Sequence, residues 1–169
     1  MAFDRTELMA LKADVFRACY LFTRGGIWID DDLIVENLTR LDKVPGKLLL
    51  IHDALHWHDF SLPLPGYAHT RDVWNAFMIA RAPRNPVFAC VLERATKLAL
   101  LRKNVHPYAF AGPAAVGACL SDAMDVNVIG LLAQSRARDW NNGALIATHT
   151  KLAARNSSVP HYSSQKSIF

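Results

Sequence analysis

The sequence predicts an α/β fold in which helices flank a small, mostly parallel β-sheet. Residues 27–29 (Ile-Trp-Ile) and 47–51 (Lys-Leu-Leu-Leu-Ile) are short apolar runs, which are typical of buried strands. Residues 6–24 and 87–102 instead repeat apolar side chains at helical spacing, so each predicted helix has one face that can pack on a sheet. Three aspartates follow the first strand, and α/β sheets bind their ligands beyond such strand ends.

Composition limits the classes of function. The 169 residues fit a single globular domain, with 51% hydrophobic and 20% charged residues. The net charge of +4 suits an anionic ligand such as a nucleotide diphosphate, but it is not specific. Lysine and arginine are scattered, so no nucleic-acid partner is expected. No apolar run reaches the ~18 residues of a membrane span, and the acidic N-terminus is unlike a signal peptide, so the default expectation is a cytoplasmic protein.

The three cysteines lie far apart in apolar, helix-like surroundings. Cys19, Cys90 and Cys119 are therefore expected to be small buried hydrophobic residues, and not disulfide partners or metal ligands.

The first helix is expected to begin with Thr6 as its N-cap and to end near Arg24. Asp14 and Arg17 are three residues apart on this helix, so they share one face. Their simplest interpretation is a surface ion pair worth less than ~1 kcal/mol.

An acidic turn follows the helix. Gly25 and Gly26 allow backbone angles that other residues avoid, and the short strand after them ends at three aspartates. Strand alternation places Asp30 and Asp32 on one side and Asp31 on the other, so the first two can share Mn²⁺ or Mg²⁺. The alternative is a solvated acidic turn without a ligand.

The combined spacing of these residues resembles a known family. The pattern S-D-x-x-R-x-x-x-L-x-x-x-G-G-x-Y-x-D-x-D is typical of glycosyltransferases with a DXD-containing sugar-binding region. That group includes initiating α-1,6-mannosyltransferases and capsular polysaccharide glycosyltransferases, and large clostridial glucosylating toxins are similar at the motif. This chain matches the pattern with Ala13 for the serine and Trp28 for the tyrosine.

The resemblance implies a metal-dependent transferase with a GT-A-like fold that moves a hexose from a UDP- or GDP-sugar to a glycan or protein acceptor. It implies no assignment of catalytic residues and no stereochemical course. Donor contacts are implied for Asp14, Arg17, Gly25, Gly26, Asp30 and Asn75, and metal ligation is implied for Asp30, Asp32 and His161.

Two of these implied roles have alternatives. Residues 74–80 are expected to form a strand that enters from the sheet edge. Asn75 begins its N-A-F-M segment, which is similar to one in related enzymes, but an asparagine at a strand start can equally bond the backbone. The histidine that completes the metal shell in related enzymes is matched loosely by His161, and His149 is the second candidate. Gly112-Pro113 resembles a T-G-P helix opening that suits an oxyanion, although proline is common there in any helix.

Residues 52–70 are expected to form a long loop. Its histidines, His52, His56 and His58, fit an acceptor pocket better than a zinc site, and Asp53 or Asp59 is either a base or solvated. Residues 1–156 are then the catalytic core, and residues 157–169 are a tail that closes the metal site.

Related catalytic domains begin with a part that binds the nucleotide base, and this sequence starts directly at the motif helix. The expectation is therefore a fragment, a reduced relative, or a chain whose partner supplies the base-binding half. Two other functions remain open from the sequence: a non-catalytic remnant that binds sugar or a partner, and a metal-dependent phosphohydrolase.

Overall fold

A computed structural model describes residues 9–36, 38–53, 73–103, 105–120, 125–133, 135–139 and 141–150. Within these residues the helices are α1 (Met9–Arg24), α2 (Pro86–Leu100), α3 (Pro107–Phe110) and α4 (Pro113–Ala118). The strands are β1 (Gly26–Ile29), β2 (Leu33–Val35), β3 (Leu48–Asp53), β4 (Val73–Ala80), β5 (Val126–Ala133), β6 (Arg136–Asp139) and β7 (Leu145–His149). None of the described helices is long and apolar enough to cross a membrane.

The strands form one sheet in the order β1-β4-β3-β5-β6-β7-β2. Among the described strands, only β3 and β5 are parallel neighbours; every other neighbouring pair is antiparallel. The prediction of a small, mostly parallel, GT-A-like sheet is therefore wrong. The sheet is mixed and mostly antiparallel.

Connection lengths explain the difference. Parallel neighbours need a crossover of about a dozen residues or more, and β3 and β5 are separated by β4 and all of α2–α4. Strands β5, β6 and β7 instead follow one another through short connections, which favour antiparallel pairs. Strand β6 was not predicted, because its sequence Arg-Ala-Arg-Asp contains only one apolar residue and so shows no strand pattern. That residue, Ala137, is the buried one.

The helices cover one face of the sheet, which also differs from the predicted flanking arrangement. One core cluster joins apolar residues of all four helices to sheet residues such as Leu50 and Met78. The other cluster contains residues of β3 and β4 together with Ile146 and Ala147 of β7, and no residue of α1–α4. Because strands from distant parts of the sheet share this second cluster, the sheet curves over its own second face.

Two predicted strands have different environments from those expected. Strand β1 was predicted to be buried, but it is an edge strand in which Ile27 and Ile29 are 44% and 39% exposed. Strand β4 was predicted at the edge, but it lies between β1 and β3 and is buried along its whole length. Residues 33–35 form β2, the strand at the opposite edge of the sheet.

The prediction that the cysteines form no disulfide is wrong, and so is the predicted burial of Cys19, whereas Cys119 is buried as predicted. Cys90 of α2 and Cys119, the residue after α4, form a disulfide, and Cys19 is exposed on α1. The two bonded cysteines are 29 residues apart in sequence. Their proximity depends on how the helices pack, which the local sequence does not indicate.

Several predictions lie outside the described residues. They concern the Thr6 cap, most of the predicted loop with His56, His58 and Asp59, and the tail 157–169 with His161.

The turn between α1 and β1 requires glycine, as predicted. Gly25 and Gly26 have φ of +67° and +94°, and the Gly25 N–H caps α1 by donating to Leu21 O at 3.0 Å. A Cβ on Gly25 would lie 2.9 Å from the carbonyl carbon of Ala82 and 3.0 Å from Ala80 O. The turn is therefore packed directly against the backbone that follows β4.

Gly25→Ala is expected to lower the free energy of unfolding more than Gly143→Ala. Gly143 has nearly the same φ, +68°, but open space where its Cβ would stand. Both variants lose about 1–2 kcal/mol to backbone strain, and only Gly25→Ala adds the backbone clash. Urea unfolding of the two variants measures the difference; equal losses would show that the close packing around Gly25 is unimportant.

Candidate functional site

Helix α1 carries a buried ion pair on the face that packs against the sheet. Asp14 and Arg17 are only 3% and 5% exposed, and Arg17 Nη1 lies 3.2 Å from Asp14 Oδ1. The simplest interpretation from the sequence, a surface ion pair, is therefore wrong. Buried charges need partners because the interior does not solvate them, so this pair must be completed by other elements.

Asp30 completes the pair from the end of β1. Arg17 Nη2 donates to Asp30 Oδ1 at 2.9 Å and to Asp30 Oδ2 at 3.2 Å. The backbone of Asp30 is fixed by its N–H, which donates to Ala76 O of β4 at 3.0 Å. The Arg17 guanidinium thus lies between a buried carboxylate on α1 and a partly exposed carboxylate on the sheet edge, where the Asp30 side chain is 29% exposed.

Trp28 contacts both Arg17 and Asp30. Its indole Nε1–H donates to Asp30 Oδ1 at 2.6 Å, and its ring lies 5.2 Å from Arg17 Cζ in a cation–π arrangement. Trp28 lies in β1 and Asp30 directly follows the strand, and because side chains alternate along a strand, residues two apart point to the same side. The family resemblance implies no role for Trp28 beyond replacing a tyrosine, but its i, i+2 spacing from Asp30 is a signal in the sequence for their contact.

Asn75 and Gly112 enclose the Asp14 end of the cluster. Asn75 Nδ2 of β4 donates to Asp14 Oδ1 at 2.9 Å, so its alternative role as a backbone partner is not the contact observed. A Cβ on Gly112 would lie 3.0 Å from Asp14 Oδ2, and only a residue without a side chain lets the two approach. Gly112 is the N-cap of α4, in line with the predicted helix opening, but the sequence does not predict its approach to Asp14.

The cluster retains unused hydrogen-bonding capacity. Asp14 Oδ2, Arg17 Nε and Arg17 Nη1 are buried and have no hydrogen-bond partner among the described residues. Buried polar atoms are normally paired, since an unpaired one costs about 1–3 kcal/mol. The three atoms therefore identify where a polar ligand group or water molecule can be bound.

Burial raises the affinity of the cluster's carboxylates for protons. Burial raises the pKa of Asp14 from 3.8 to about 6, and Arg17 opposes this shift. Burial also raises the pKa of Asp30, again against the effect of Arg17. One guanidinium faces two carboxylates, so it offsets only part of their cost of desolvation.

Asp32 lies beside His149 at the other edge strand. Asp32 Oδ2 is 3.7 Å from His149 Nε2, and the two side chains are 15% and 18% exposed. The Asp32 carbonyl accepts from the N–H of Thr150 at 2.9 Å and from its Oγ1 at 3.0 Å. Strand pairing of β2 with β7 brings these residues together, with Leu33 opposite His149.

The structure thus brings most of the predicted site residues into two adjacent groups. Asp14, Arg17, Asp30 and Asn75 form one connected cluster, and Asp32 lies close enough to Asp30 to contribute to its raised pKa. Gly25 and Gly26 form the turn that leads into β1. Among the described residues, no hydrogen bond joins either glycine to the cluster. Of the two histidine candidates, His149 is beside Asp32, and His161 lies outside the described residues.

The described residues contain no group of three or more histidine, cysteine, aspartate or glutamate side chains that could hold a metal ion. Asp32 and His149 form a pair, and both oxygens of Asp30 accept hydrogen bonds from Arg17. A metal ion held by Asp32 and His149 would therefore need further ligands from a substrate or from solvent.

Comparisons with known proteins add no family to this geometry. A scan of the chain against protein-family models finds no match, and a search of curated proteins finds no significantly similar sequence.

Asp14→Asn is expected to change how stability depends on pH. Because the folded pKa of about 6 exceeds the ordinary value of 3.8, the contribution of Asp14 to stability is complete below the ordinary value and is lost as pH rises through the folded value. From pH 4 to pH 7 the unfolding free energy of wild type should therefore fall relative to that of Asp14→Asn by about 2 kcal/mol.

Urea unfolding at several pH values measures this difference, with the exposed Asp125 as a control: Asp125→Asn should retain the wild-type slope. Parallel curves for Asp14→Asn and wild type would contradict the raised pKa of Asp14.

Proposed function

We propose that this chain binds a nucleotide-diphosphate sugar together with Mn²⁺ or Mg²⁺ and acts as a hexosyltransferase. The observation that carries the proposal is the partly unsatisfied buried cluster of Asp14, Arg17, Asp30 and Asn75 beside Asp32. The resemblance of the motif to glycosyltransferases with a DXD-containing region supports the choice of donor. The proposed acceptor is a glycan or protein.

The three buried atoms that lack a hydrogen-bond partner among the described residues support a sugar or phosphate ligand. Arg17 Nε and Nη1 can donate to hydroxyl or phosphate oxygens, and Asp14 Oδ2 can accept from a hydroxyl group. Trp28 and Asp30 hold the guanidinium in place, so little rotamer freedom is lost when a ligand binds. Donor contacts by Asp14 and Arg17 are thus chemically reasonable for a hydroxyl-rich anion.

The residues present fit a divalent cation that is shared with the ligand. Asp32 supplies a carboxylate oxygen and His149 an imidazole nitrogen, both partly exposed. Mn²⁺ and Mg²⁺ sites often use one or two protein ligands and complete their shells with substrate phosphates and water. When bound, such a cation would neutralise part of the charge that develops on a diphosphate leaving group.

The protein's own residues perform the remaining tasks in this proposal. Arg17 orients the donor by donating to its oxygens, and Asn75 holds the Asp14 carboxylate towards the ligand by donating to its other oxygen. Asp30 fixes the guanidinium and contacts the ribose or the sugar. No residue is assigned as a base or nucleophile.

Calorimetric titration of UDP-sugars and GDP-mannose with Mn²⁺, and then with EDTA, tests the proposal. One donor should bind only in the presence of the metal. Asp32→Asn should weaken that binding about tenfold or more, because a ligand of the cation is removed, whereas Asp31→Asn should change it less than about twofold. Asp31 is the matched control because it is the adjacent, exposed carboxylate.

Equal effects of the two variants would exclude a specific role of Asp32. Absence of binding for every donor would contradict the proposal. Donor binding without release of the nucleoside diphosphate in the presence of acceptor glycans would support the alternative of a non-catalytic sugar-binding protein.

A further inference from the structure

The Cys90–Cys119 disulfide lies behind the candidate site. It joins α2 to the residue that follows α4, with the two Cα atoms 5.8 Å apart. Cys119 is 4% exposed and belongs to the same apolar cluster as α1 residues Leu11 and Val15. The disulfide is therefore part of the core that supports the inner face of α1.

Helix α4 connects this disulfide to Asp14. The helix has six residues, and its N-cap is Gly112. A Cβ on Gly112 would lie 3.0 Å from Asp14 Oδ2, an atom with no hydrogen-bond partner in the part of the chain that the structure describes. The last turn before the disulfide is closed by Cys119 N–H, which donates to Val116 O at 3.0 Å. A displacement of Cys119 would thus be transmitted through less than two helical turns to the residue that encloses Asp14.

Helix α4 has little stability of its own. Isolated helices shorter than about 12 residues are marginal in water, so packing and covalent restraint must hold a six-residue helix. Its sequence, Pro-Ala-Ala-Val-Gly-Ala, has small side chains and one glycine, and thus offers little apolar area for packing. A crosslink that closes a 29-residue separation restrains it strongly.

We propose that the Cys90–Cys119 disulfide is a structural crosslink that keeps Gly112 against Asp14, so that oxidation of these two thiols is required for a fully formed site. The bond forms by thiol–disulfide exchange with a small disulfide such as oxidised glutathione. The two cysteine thiols lose two protons and two electrons, and one oxidised glutathione becomes two reduced molecules. This crosslink favours folding in an oxidising compartment, in contrast to the cytoplasmic default.

Thiol counting and hydrogen exchange on the full chain test this proposal without any sugar ligand. The Cys19→Ser variant provides the background, since it removes the exposed free thiol and prevents intermolecular disulfides. After refolding with a glutathione couple, this variant should contain no titratable thiol when denatured, and two after reduction.

Reduction of the folded Cys19→Ser variant should then loosen α4 selectively. We expect amide exchange at Val116 and Cys119 to accelerate about tenfold or more, while the amides of the central strands change much less. The melting temperature should fall by roughly 10 °C. The further variant Cys90→Ala/Cys119→Ala in the same background should show the fast exchange with or without reductant.

Two free thiols after oxidative refolding would overturn the proposal, as would unchanged exchange at Val116 and Cys119 on reduction. If the Cys90→Ala/Cys119→Ala variant does not fold, hydrogen exchange of the folded Cys19→Ser variant before and after reduction still tests the proposal. Because none of these measurements uses a donor sugar, the outcome is independent of the proposed transferase function.

Discussion

The site depends on the burial of one guanidinium. Arg17 is 5% exposed, and its charge is stabilised by Asp14 on the same helix and by Asp30 beyond β1. Loss of one partner from a buried ion pair typically costs about 3–5 kcal/mol, because the other charge is left uncompensated. This requirement fixes α1 against the edge of the sheet, and the Gly25 turn brings Asp30 back to meet the helix.

The same arrangement leaves buried hydrogen-bonding groups of the site unsatisfied, and a ligand could satisfy them. Asp14 and Asp30 outnumber the one guanidinium, and three buried polar atoms of Asp14 and Arg17 have no hydrogen-bond partner among the described residues. A fully satisfied ion-pair network would have a structural role alone. The unsatisfied one is suited to hydroxyl groups or phosphate oxygens. It lies next to Asp32, which contacts His149, and these two residues are the proposed ligands of the cation.

The sequence predicted the local parts of this site and not their environment. The shared face of Asp14 and Arg17 follows from helical spacing, and the turn follows from the two glycines, so both could be predicted from a few residues. Burial of the pair, the donation of Asn75 to Asp14 and the approach of Gly112 depend on packing between residues up to about a hundred positions apart. Hydrophobic periodicity carries no information on such contacts.

The fold illustrates the same limit. The runs at 27–29, 47–51 and 74–80 were predicted as strands, and strands are present there. Their directions were wrong, since apolar runs in β3 and β4 are compatible with either parallel or antiparallel neighbours. The pairing of Cys90 with Cys119 was missed for a related reason: three cysteines in apolar helices give no local sign of which two will meet.

The central claim is that a divalent cation and a nucleotide-diphosphate sugar bind together beside Asp32. Paramagnetic broadening by Mn²⁺ in NMR spectra of the ¹⁵N-labelled chain tests it most directly, with UDP-glucose and GDP-mannose each added in turn. The account predicts that the amide signals of Leu33, His149 and Thr150 broaden strongly only when a donor is present, and recover with EDTA. Broadening confined to other regions, or equal at these amides without a donor, would contradict the account.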